Sequence, residues 1–272
     1  MTSHDVVSCL RRITKIKQIG HTGTLDPFAE GVLPIAIGKA TRLIEYLNDD
    51  KAYIGRFCFG KSTDTYDIEG RRVNIFDEKV SEQDIINNLP LGEIEQIPPI
   101  YSAKKINGKK MYELARAGVN DIEIKPCKVN IYKIEMLEFN EEEQWADIYI
   151  ACSKGTYIRS IANDLGKSLN NGCYLSKLKR TQAGLFNIDT SVKLDDLTSA
   201  DDVEKVLLNP VNCLPQEKYE LNDNEFKRIS HGITIGINNI KTDDFVLLTK
   251  NNQLIAIAQS TTEGLKPKKV MI

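Results

Sequence analysis

The spacing of apolar residues predicts two amphipathic helices in the first two thirds of the chain. In residues 3–16 the apolar side chains fall on one helical face, and Thr2 or Ser3 can cap the first turn. A second apolar stripe, in residues 158–169, is formed by Ile158, Ile161, Ala162, Leu165 and Leu169. Each stripe is expected to pack inward, because one apolar and one polar face are typical of a helix at the surface of a core.

Boundary residues predict two shorter helices between these. Residues 81–89 begin with Ser-x-x-Asp, which is a helix start signal, and stop before Pro90. Residues 109–117 are followed by Gly118, which is typical of a helix end. Both segments are therefore interpreted as short helices.

Three stretches predict β-strands. They are residues 52–59, 127–139 and 145–152, which are rich in β-branched and aromatic side chains and either alternate or run apolar. Together with the helices, these strands indicate the α+β fold class.

The pattern changes near residue 216. A short helix is predicted at 223–229, and brief strands at 245–248 and 254–258 are separated by the turn-forming residues 250–252. This pattern indicates a small β-rich module.

Two prolines, Pro210 and Pro215, mark a linker at about 209–218 in front of that module. The predicted domains are therefore residues 1–215 and residues 216–272.

Composition narrows the class of protein. Of the 272 residues, 41% are hydrophobic and 27% charged, which is ordinary for a globular protein. No stretch approaches the roughly 20 apolar residues of a membrane span. Residues 1–20 hold no apolar segment before a small-residue cleavage site, so a cytoplasmic location is expected.

The cysteines and histidines do not predict a metal site. No two of the six cysteines have CxxC spacing, and the three histidines, His4, His21 and His231, are scattered. The cysteines are expected to be reduced and mostly buried.

Basic residues are clustered, although the net charge is −2. The four basic clusters are Arg11, Arg12, Lys15 and Lys17; Lys104, Lys105, Lys109 and Lys110; Lys177, Lys179 and Arg180; and Lys266, Lys268 and Lys269. A single basic run is usually a solvated helix face. Four runs favour an anionic partner, provided that folding brings them to one side.

The densest chemical signal is GHTGTLDPFAEGVLPI, residues 20–35. Glycines that permit positive φ, and a proline that keeps Asp26 out of the helical conformation, predict a tight and irregular loop. Such a loop holds Asp26 in one pose. Spacing alone favours the simpler interpretation, in which Asp26 only caps the turn.

Four further stretches follow that loop: KAY at 51–53, TDTYDIEG at 63–70, IPPIYSAKKINGKKMYELARAG at 97–118 and CSKGTYIRSIANDLG at 152–166. In this order, the five stretches resemble the motifs of the bacterial tRNA pseudouridine synthase B family. The resemblance covers most of residues 2–185. It implies a mixed, largely antiparallel sheet flanked by helices, followed by a small PUA-like RNA-binding module at 216–272.

The resemblance also implies an activity. Members of the family isomerise uridine 55 in the T loop of tRNA, flipping the base into a pocket. A cofactor-free isomerase acting on tRNA is therefore expected, as a monomer without a metal or an obligatory protein partner.

Individual roles follow by matching positions. Asp26 matches the catalytic aspartate, which either attacks C1′ or takes a ribose proton. Arg159 matches the arginine paired with it, and a guanidinium within about 4–6 Å would favour the ionised carboxylate. Tyr53 matches the tyrosine that stacks on the base, and Asp67 a supporting aspartate.

The remaining matches concern RNA. His21 matches a histidine that meets the T-loop nucleotides, while Tyr157 and Leu178 match positions that line the uridine pocket. A basic group next to Leu178 is expected to face phosphate: Lys177, Lys179 and Arg180.

One departure from the family pattern concerns the first residues. Family members usually begin with a strand and a Lys-Pro-x-Gly turn before a Thr-Ser pair, whereas here Met1 directly precedes Thr2. The resemblance therefore implies that the family's N-terminal strand is absent.

Two other functions are compatible with the residues alone. One is an RNA-binding protein without turnover, whose affinity would depend on salt. The other is a nucleosidase or glycosidase that uses Asp26, although hydrolytic glycosidases usually need two carboxylates about 5–10 Å apart.

Overall fold

A computed structural model describes residues 1–102, 104–106, 108–111, 124–236 and 244–272. The chain folds into two compact units. The first unit contains residues 25–32 and 49–190, and the second contains residues 2–24, 33–48 and 191–272. The assignment of residues 1–215 and 216–272 as functional domains stays a prediction.

The first unit is built on one large sheet. Its strands are β2 (Glu30–Gly31), β4 (Lys51–Phe59), β7 (Gly92–Gln96), β10 (Cys127–Asn140), β11 (Trp145–Cys152), β12 (Cys173–Ala183) and β13 (Phe186–Asn187). The order is β13-β12-β4-β11-β10-β7, and all these neighbours are antiparallel. Strand β2 pairs with β12 in parallel. The mixed, largely antiparallel sheet and the α+β class are thus confirmed.

Smaller elements complete the first unit. They are the hairpins β5 (Lys61–Thr63) with β6 (Arg72–Ile75) and β8 (Lys105–Ile106) with β9 (Lys109–Lys110), the helices α2 (Glu82–Asn87) and α3 (Ile158–Ser168), and a 3-10 turn, Ile188–Thr190. Helix α2 starts as predicted, because the Ser81 hydroxyl accepts a hydrogen bond from the Asp84 N–H at 3.2 Å.

The predicted helix at 109–117 is wrong at its start. Lys109 and Lys110 form β9, paired with Ile106 and Lys105. Gly108 adopts a φ of 82°, which reverses the chain and aligns these backbones as a hairpin. Residues 112–117 of that prediction lie outside the described residues.

One face of the large sheet carries the core. Alternate residues of β4, including Tyr53, Phe57 and Phe59, pack against apolar residues of α3 such as Ile161 and Leu165. Phe57 is fully buried, and removing a side chain of this kind from water contributes roughly 2–3 kcal/mol. This face of the sheet, with α3 on it, is also the face toward which the candidate site residues Tyr53 and Leu178 point.

The second unit contains α1 (Ser3–Thr14), β1 (Ile19–His21), β3 (Ile35–Ile37), α4 (Ala200–Lys205) and 3-10 helices at Gly38–Tyr46, Leu194–Asp196 and Pro210–Asn212. The apolar stripe of α1 packs inward as predicted, since Val7 and Leu10 bury against Ile19 and Val203. Thr2 is the N-cap, in a reciprocal capping box with Asp5.

The second unit also contains a C-terminal sheet. It has the order β14 (Glu217–Glu220), β15 (Phe245–Lys250), β16 (Gln253–Thr261) and β17 (Gly264–Val270), with α5 (Asp223–Ser230) packed on it. β14 runs parallel to β15, and the other neighbours are antiparallel. The predicted helix at 223–229 and the two predicted strands are confirmed, and each is longer than expected. The C-terminal segment is therefore β-rich, as predicted.

Candidate active site

The loop that carries Asp26 is tied to the large sheet at its far end. Strand β2 pairs Gly31 with Arg180 of β12, and the Val32 N–H donates to the Arg180 carbonyl at 2.9 Å. Near the start, the Ala29 N–H donates to the Asp26 carbonyl at 2.9 Å and closes a turn. Asp26 is therefore held in a defined pose, as the sequence predicted.

Gly31 is required for that attachment. Its φ is 109°, and a Cβ built on it would lie 2.2 Å from the Arg180 carbonyl oxygen. Only glycine adopts this backbone conformation without strain and also permits so close an approach.

Asp26 and Arg159 form a bidentate ion pair, as predicted. Arg159 Nε and Nη2 each lie 2.8 Å from one carboxylate oxygen of Asp26. Arg159 stands in the first turn of α3 with its side chain 5% exposed, whereas the Asp26 side chain is 31% exposed. The carboxylate is thus accessible to a ligand, while the guanidinium behind it is not.

Arg159 makes further contacts that fix its orientation. Nη1 donates to the Thr65 carbonyl at 3.2 Å, and Nη2 donates to the Tyr101 carbonyl at 3.0 Å. Nη1 also lies 3.4 Å from Oδ2 of Asp67. Because a buried guanidinium is costly unless its donors are used, these acceptors stabilise the arginine in the position that meets Asp26.

Asp67 supports this arrangement from the far side of the arginine. The Thr65 hydroxyl donates to its Oδ1 at 2.6 Å, and the Glu69 N–H donates to the same oxygen at 3.0 Å. Burial raises the pKa of Asp67, and the hydrogen bond from Thr65 and the charge of Arg159 oppose that shift. Asp67 is 5% exposed, so it acts on the site through Arg159.

Tyr53 and Leu178 stand on the same face of the sheet as α3. The β4–β12 register pairs Tyr53 with Arg180 and Leu178 with Gly55, and both side chains are buried in the core. Burial raises the pKa of Tyr53 to about 12, against the lowering effect of Arg180. Tyr53 is therefore a neutral phenol at physiological pH.

Tyr157 is the residue before α3 and is held by its backbone. Gln96 accepts from the Tyr157 N–H at 2.8 Å and donates to the Tyr157 carbonyl at 3.0 Å. Burial raises the pKa of the Tyr157 hydroxyl, and a hydrogen bond with Ser102 opposes the shift. Tyr157 is thus positioned two residues from Arg159, with its side chain half-buried.

The three basic residues that were expected to face phosphate do not share one surface: Lys177, Lys179 and Arg180. Arg180 is 1% exposed and its side chain is buried, whereas Lys177 and Lys179 are exposed. Successive residues of a strand point to opposite faces, so the two lysines lie on the face away from Tyr53 and Leu178. The prediction that Arg180 faces phosphate is therefore wrong, and RNA binding by the two lysines stays a prediction.

His21 lies in the second unit, at the end of β1, where it pairs with Ile35 of β3. Its contact with the T loop stays a prediction. Six of the predicted site residues belong to the first unit: Asp26, Tyr53, Asp67, Tyr157, Arg159 and Leu178.

Several contributors to the site were missed in the sequence. Thr65 and Tyr101 accept hydrogen bonds from Arg159 through their backbone carbonyls, and a backbone contact cannot be predicted from the type of residue. Gln96 acts through its amide, and its position at the end of a strand was not distinctive. Arg180 was named in the sequence but assigned to phosphate, and strand alternation over Leu178-Lys179-Arg180 places it on the apolar side once residues 173–183 are known to form a strand.

Within the described ranges, no three or more His, Cys, Asp or Glu side chains are grouped so that they could hold a metal ion. In the same ranges, no helix has the length and apolar character needed to cross a membrane.

Comparison with known proteins assigns this chain to a protein family. The sequence profile of the family described as "TruB family pseudouridylate synthase (N terminal domain)" matches residues 11–158, which is more than half of the chain. The chain belongs to the TruB family of pseudouridylate synthases. The family inferred from the five stretches is thereby confirmed.

The similarity to curated relatives extends along the whole chain. It is 42% identical to the tRNA pseudouridine synthase B of Clostridioides difficile and 37% identical to that of Clostridium tetani, covering all of this chain and 96% of each relative. Among solved structures, it resembles a chain in the "Crystal Structure of a Cbf5-Nop10-Gar1 Complex", with a TM-score of 0.76 and 25% identity. That match covers all of this chain and 82% of the other.

Proposed function

We propose that this protein is a tRNA pseudouridine synthase that converts uridine 55 of the T loop to pseudouridine. The observation that carries the proposal is the Asp26–Arg159 pair. The accessible carboxylate of Asp26 stands on a loop tied to the sheet, and the buried guanidinium of Arg159 holds it. Family membership and the full-length similarity to tRNA pseudouridine synthases B support the substrate class.

The reaction rearranges one nucleoside. The C1′–N1 bond breaks, the uracil turns, a C1′–C5 bond forms, and the proton on C5 leaves while N1 gains one. Asp26 starts this sequence, either by attacking C1′ or by taking a ribose proton. Its 31% exposure leaves room for the ribose, and Arg159 holds the carboxylate through two hydrogen bonds.

The neighbours of Asp26 suit a flipped base. Tyr53 supplies an aromatic ring on the site face, and Leu178 and Tyr157 add apolar surface for uracil. Extruding a base costs a few kcal/mol of stacking, which contacts of this kind offset. We assign Tyr53, Tyr157 and Leu178 to the uridine pocket on this basis.

A hydrolytic glycosidase is less well supported. Asp26 and Asp67 both contact Arg159, so a second carboxylate is present. However, Asp67 is 5% exposed and accepts hydrogen bonds from Thr65 and the Glu69 N–H, so its oxygens do not face a substrate. A hydrolase of this class needs both carboxylates at the glycosidic bond.

The test is tritium release from a tRNA transcript labelled at C5 of its uridines, because the new C–C bond expels that hydrogen. We expect stoichiometric release of one tritium per tRNA, and none from a transcript with cytidine at position 55. Free uracil in the supernatant would identify a nucleosidase instead. Binding of the transcript with no release would identify an RNA-binding protein.

Partners and location belong to the same proposal. We propose that the β-rich segment 216–272 is a PUA-like module that adds RNA contacts, together with His21, Lys177 and Lys179. A monomer without an obligatory protein partner, and a cytoplasmic location, are consistent with a single-chain tRNA-modifying enzyme. Sedimentation of the purified chain with and without tRNA tests the stoichiometry.

A further inference from the structure

Arg180 is an unusual residue because a full guanidinium is buried in the sheet. It is 1% exposed, and among the described residues it is the largest side chain that is fully buried. Exposed lysines, Lys177 and Lys179, stand on the same strand and could serve phosphate without this burial. Burying a charge of this kind costs several kcal/mol before its contacts are counted. Contacts within the protein must therefore compensate this cost.

The contacts of Arg180 lead to the catalytic loop. Its Nε donates to the Val32 carbonyl at 2.6 Å, and its own carbonyl accepts from the Val32 N–H at 2.9 Å. Its backbone also pairs with Gly31 in the parallel β2–β12 contact. Residue 180 therefore holds the end of the Asp26 loop through both its backbone and its side chain.

A second contact of Arg180 leads to the uridine pocket. The cross-strand register places Arg180 directly opposite Tyr53 on the same face of the sheet, where both side chains are buried, and the nearby guanidinium lowers the pKa of the Tyr53 hydroxyl against the raising effect of burial. One guanidinium thus holds the loop that bears the reacting carboxylate and lies beside the aromatic ring assigned to the base. A lysine has the charge but not the fixed geometry of this group.

We propose that Arg180 is a positioning residue that fixes the Asp26 loop and the Tyr53 ring relative to each other, and that it does not bind RNA phosphate. This role complements that of Arg159, which holds the side chain of Asp26, whereas Arg180 holds the backbone at the end of the same loop. The inference rests on the proposed function for its kinetic consequence, but its structural consequence can be measured without turnover.

The kinetic test compares Arg180→Lys with Arg56→Lys. Arg56 lies on β4 of the same sheet, on the opposite face, and is therefore a matched arginine outside the site. In single turnover at saturating tRNA, we expect Arg180→Lys to lower the rate about tenfold or more, because small misplacements of reacting groups are costly. Its Kd for tRNA should stay within about threefold, and Arg56→Lys should match wild type in both quantities.

Two results would overturn the proposal. A weaker Kd, with a salt dependence of log Kd lowered by about one and an unchanged saturating rate, would make Arg180 a phosphate contact. An unchanged rate and Kd, with only a lower unfolding midpoint, would make it a purely structural residue. Rates are to be measured well below the unfolding midpoint of each variant, so that loss of folded protein does not imitate loss of positioning.

The structural test uses 3-fluorotyrosine labelling and ¹⁹F NMR. The chain has ten tyrosines, and Tyr53→Phe assigns the Tyr53 signal by its disappearance. We expect Arg180→Lys to shift that signal, while Arg56→Lys leaves it in place. If wild type releases no tritium, the proposed function fails, and the ¹⁹F shift still decides whether Arg180 holds Tyr53; an unshifted signal would refute that contact.

Discussion

Two bidentate arginine–aspartate pairs lie on opposite faces of the large sheet. On the site face, Arg159 contacts Asp26 with two distances of 2.8 Å. On the other face, Arg56 contacts Asp147 at 2.7 and 2.6 Å. The local geometry of the two pairs is nearly the same, so geometry alone does not distinguish a reaction centre from a structural contact.

The surroundings of the two pairs differ. Arg56 and Asp147 are direct cross-strand partners with similar exposure, 23% and 21% for their side chains. The guanidinium carbon of Arg56 also lies 3.5 Å from the ring centroid of Trp145, so a side chain of the neighbouring strand packs on this pair. In the other pair the arginine is 5% and the carboxylate 31% exposed.

This asymmetry indicates function. A buried guanidinium that is fixed by carbonyls and by Asp67 can hold Asp26 while leaving one side of the carboxylate to a ligand. In the Arg56–Asp147 pair neither group is buried behind the other, and we expect this pair to contribute only to the stability of the sheet. If this difference in exposure distinguishes a reaction centre from a structural contact, the same substitution made in each pair should affect turnover unequally.

The largest difference is expected between Asp26→Asn and Asp147→Asn. Asp26→Asn should lower the single-turnover rate at least about 10³-fold, because the amide neither attacks C1′ nor takes a proton. Its affinity for tRNA should stay within a few fold. Tritium release measures the rate, and filter binding measures the affinity.

Asp147→Asn is the control for this change, since it makes the same substitution in a pair of the same geometry. Its rate should equal that of wild type. Equal losses in both variants would show that the effect comes from disturbing the sheet, and a full rate in Asp26→Asn would remove Asp26 from the mechanism.

The next largest difference is expected between Arg159→Lys and Arg56→Lys. An ammonium group keeps the charge but cannot contact Asp26 bidentately and also reach the carbonyls of Thr65 and Tyr101. We expect about a 10²-fold loss of saturating rate for Arg159→Lys, from displacement of Asp26. Single-turnover kinetics check this, and a loss confined to KM would contradict it.

A smaller effect concerns Asp67 and pH. Because burial raises its pKa above the ordinary 3.8, the folded protein holds this proton more tightly than the unfolded chain does. The resulting stabilisation is complete below pH 3.8 and is lost as the pH rises through the folded-state pKa. The free energy of unfolding of wild type minus that of Asp67→Asn should therefore fall as the pH rises from below 3.8 towards neutrality.

Urea unfolding at a series of pH values gives this difference directly, because contributions of other groups cancel between the two proteins. A difference that rises with pH would show that attraction to Arg159 outweighs the burial of Asp67.

The smallest effect is the coupling between Arg56 and Asp147. Half-buried pairs of this kind contribute about 0.5–1 kcal/mol, and salt screens part of it. A double-mutant cycle with Arg56→Ala and Asp147→Ala, read by urea unfolding, measures the coupling. A coupling of several kcal/mol would mean that the two pairs are more alike in energy than their exposure indicates.

Much of the regular structure was predictable because it depends on local patterns. The strand at 145–152 and the start of α2 at Ser81 followed from alternation and a capping signal. The hairpin of β8 and β9 was not predicted, although Asn107-Gly108 in the sequence is a turn-forming pair typical of hairpins. The Gly38–Tyr46 helix was also not predicted.

The site divides in the same way. Pairing of Asp26 with Arg159 was anticipated from the family resemblance, although the two residues are 133 positions apart. The carbonyls that hold Arg159 could not be anticipated, because backbone acceptors carry no residue signature. The faces of Lys177, Lys179 and Arg180 follow from strand alternation, but only once residues 173–183 are known to form a strand.

The close packing of Gly31 against Arg180 has a consequence for mutational tolerance. A methyl group at position 31 would meet the Arg180 carbonyl at 2.2 Å, in a backbone conformation that side chains disfavour. In a saturation library selected for activity, this position should accept glycine alone, although it bears no chemical group of its own. Intolerance there would mark a point where the folded chain has no spare volume.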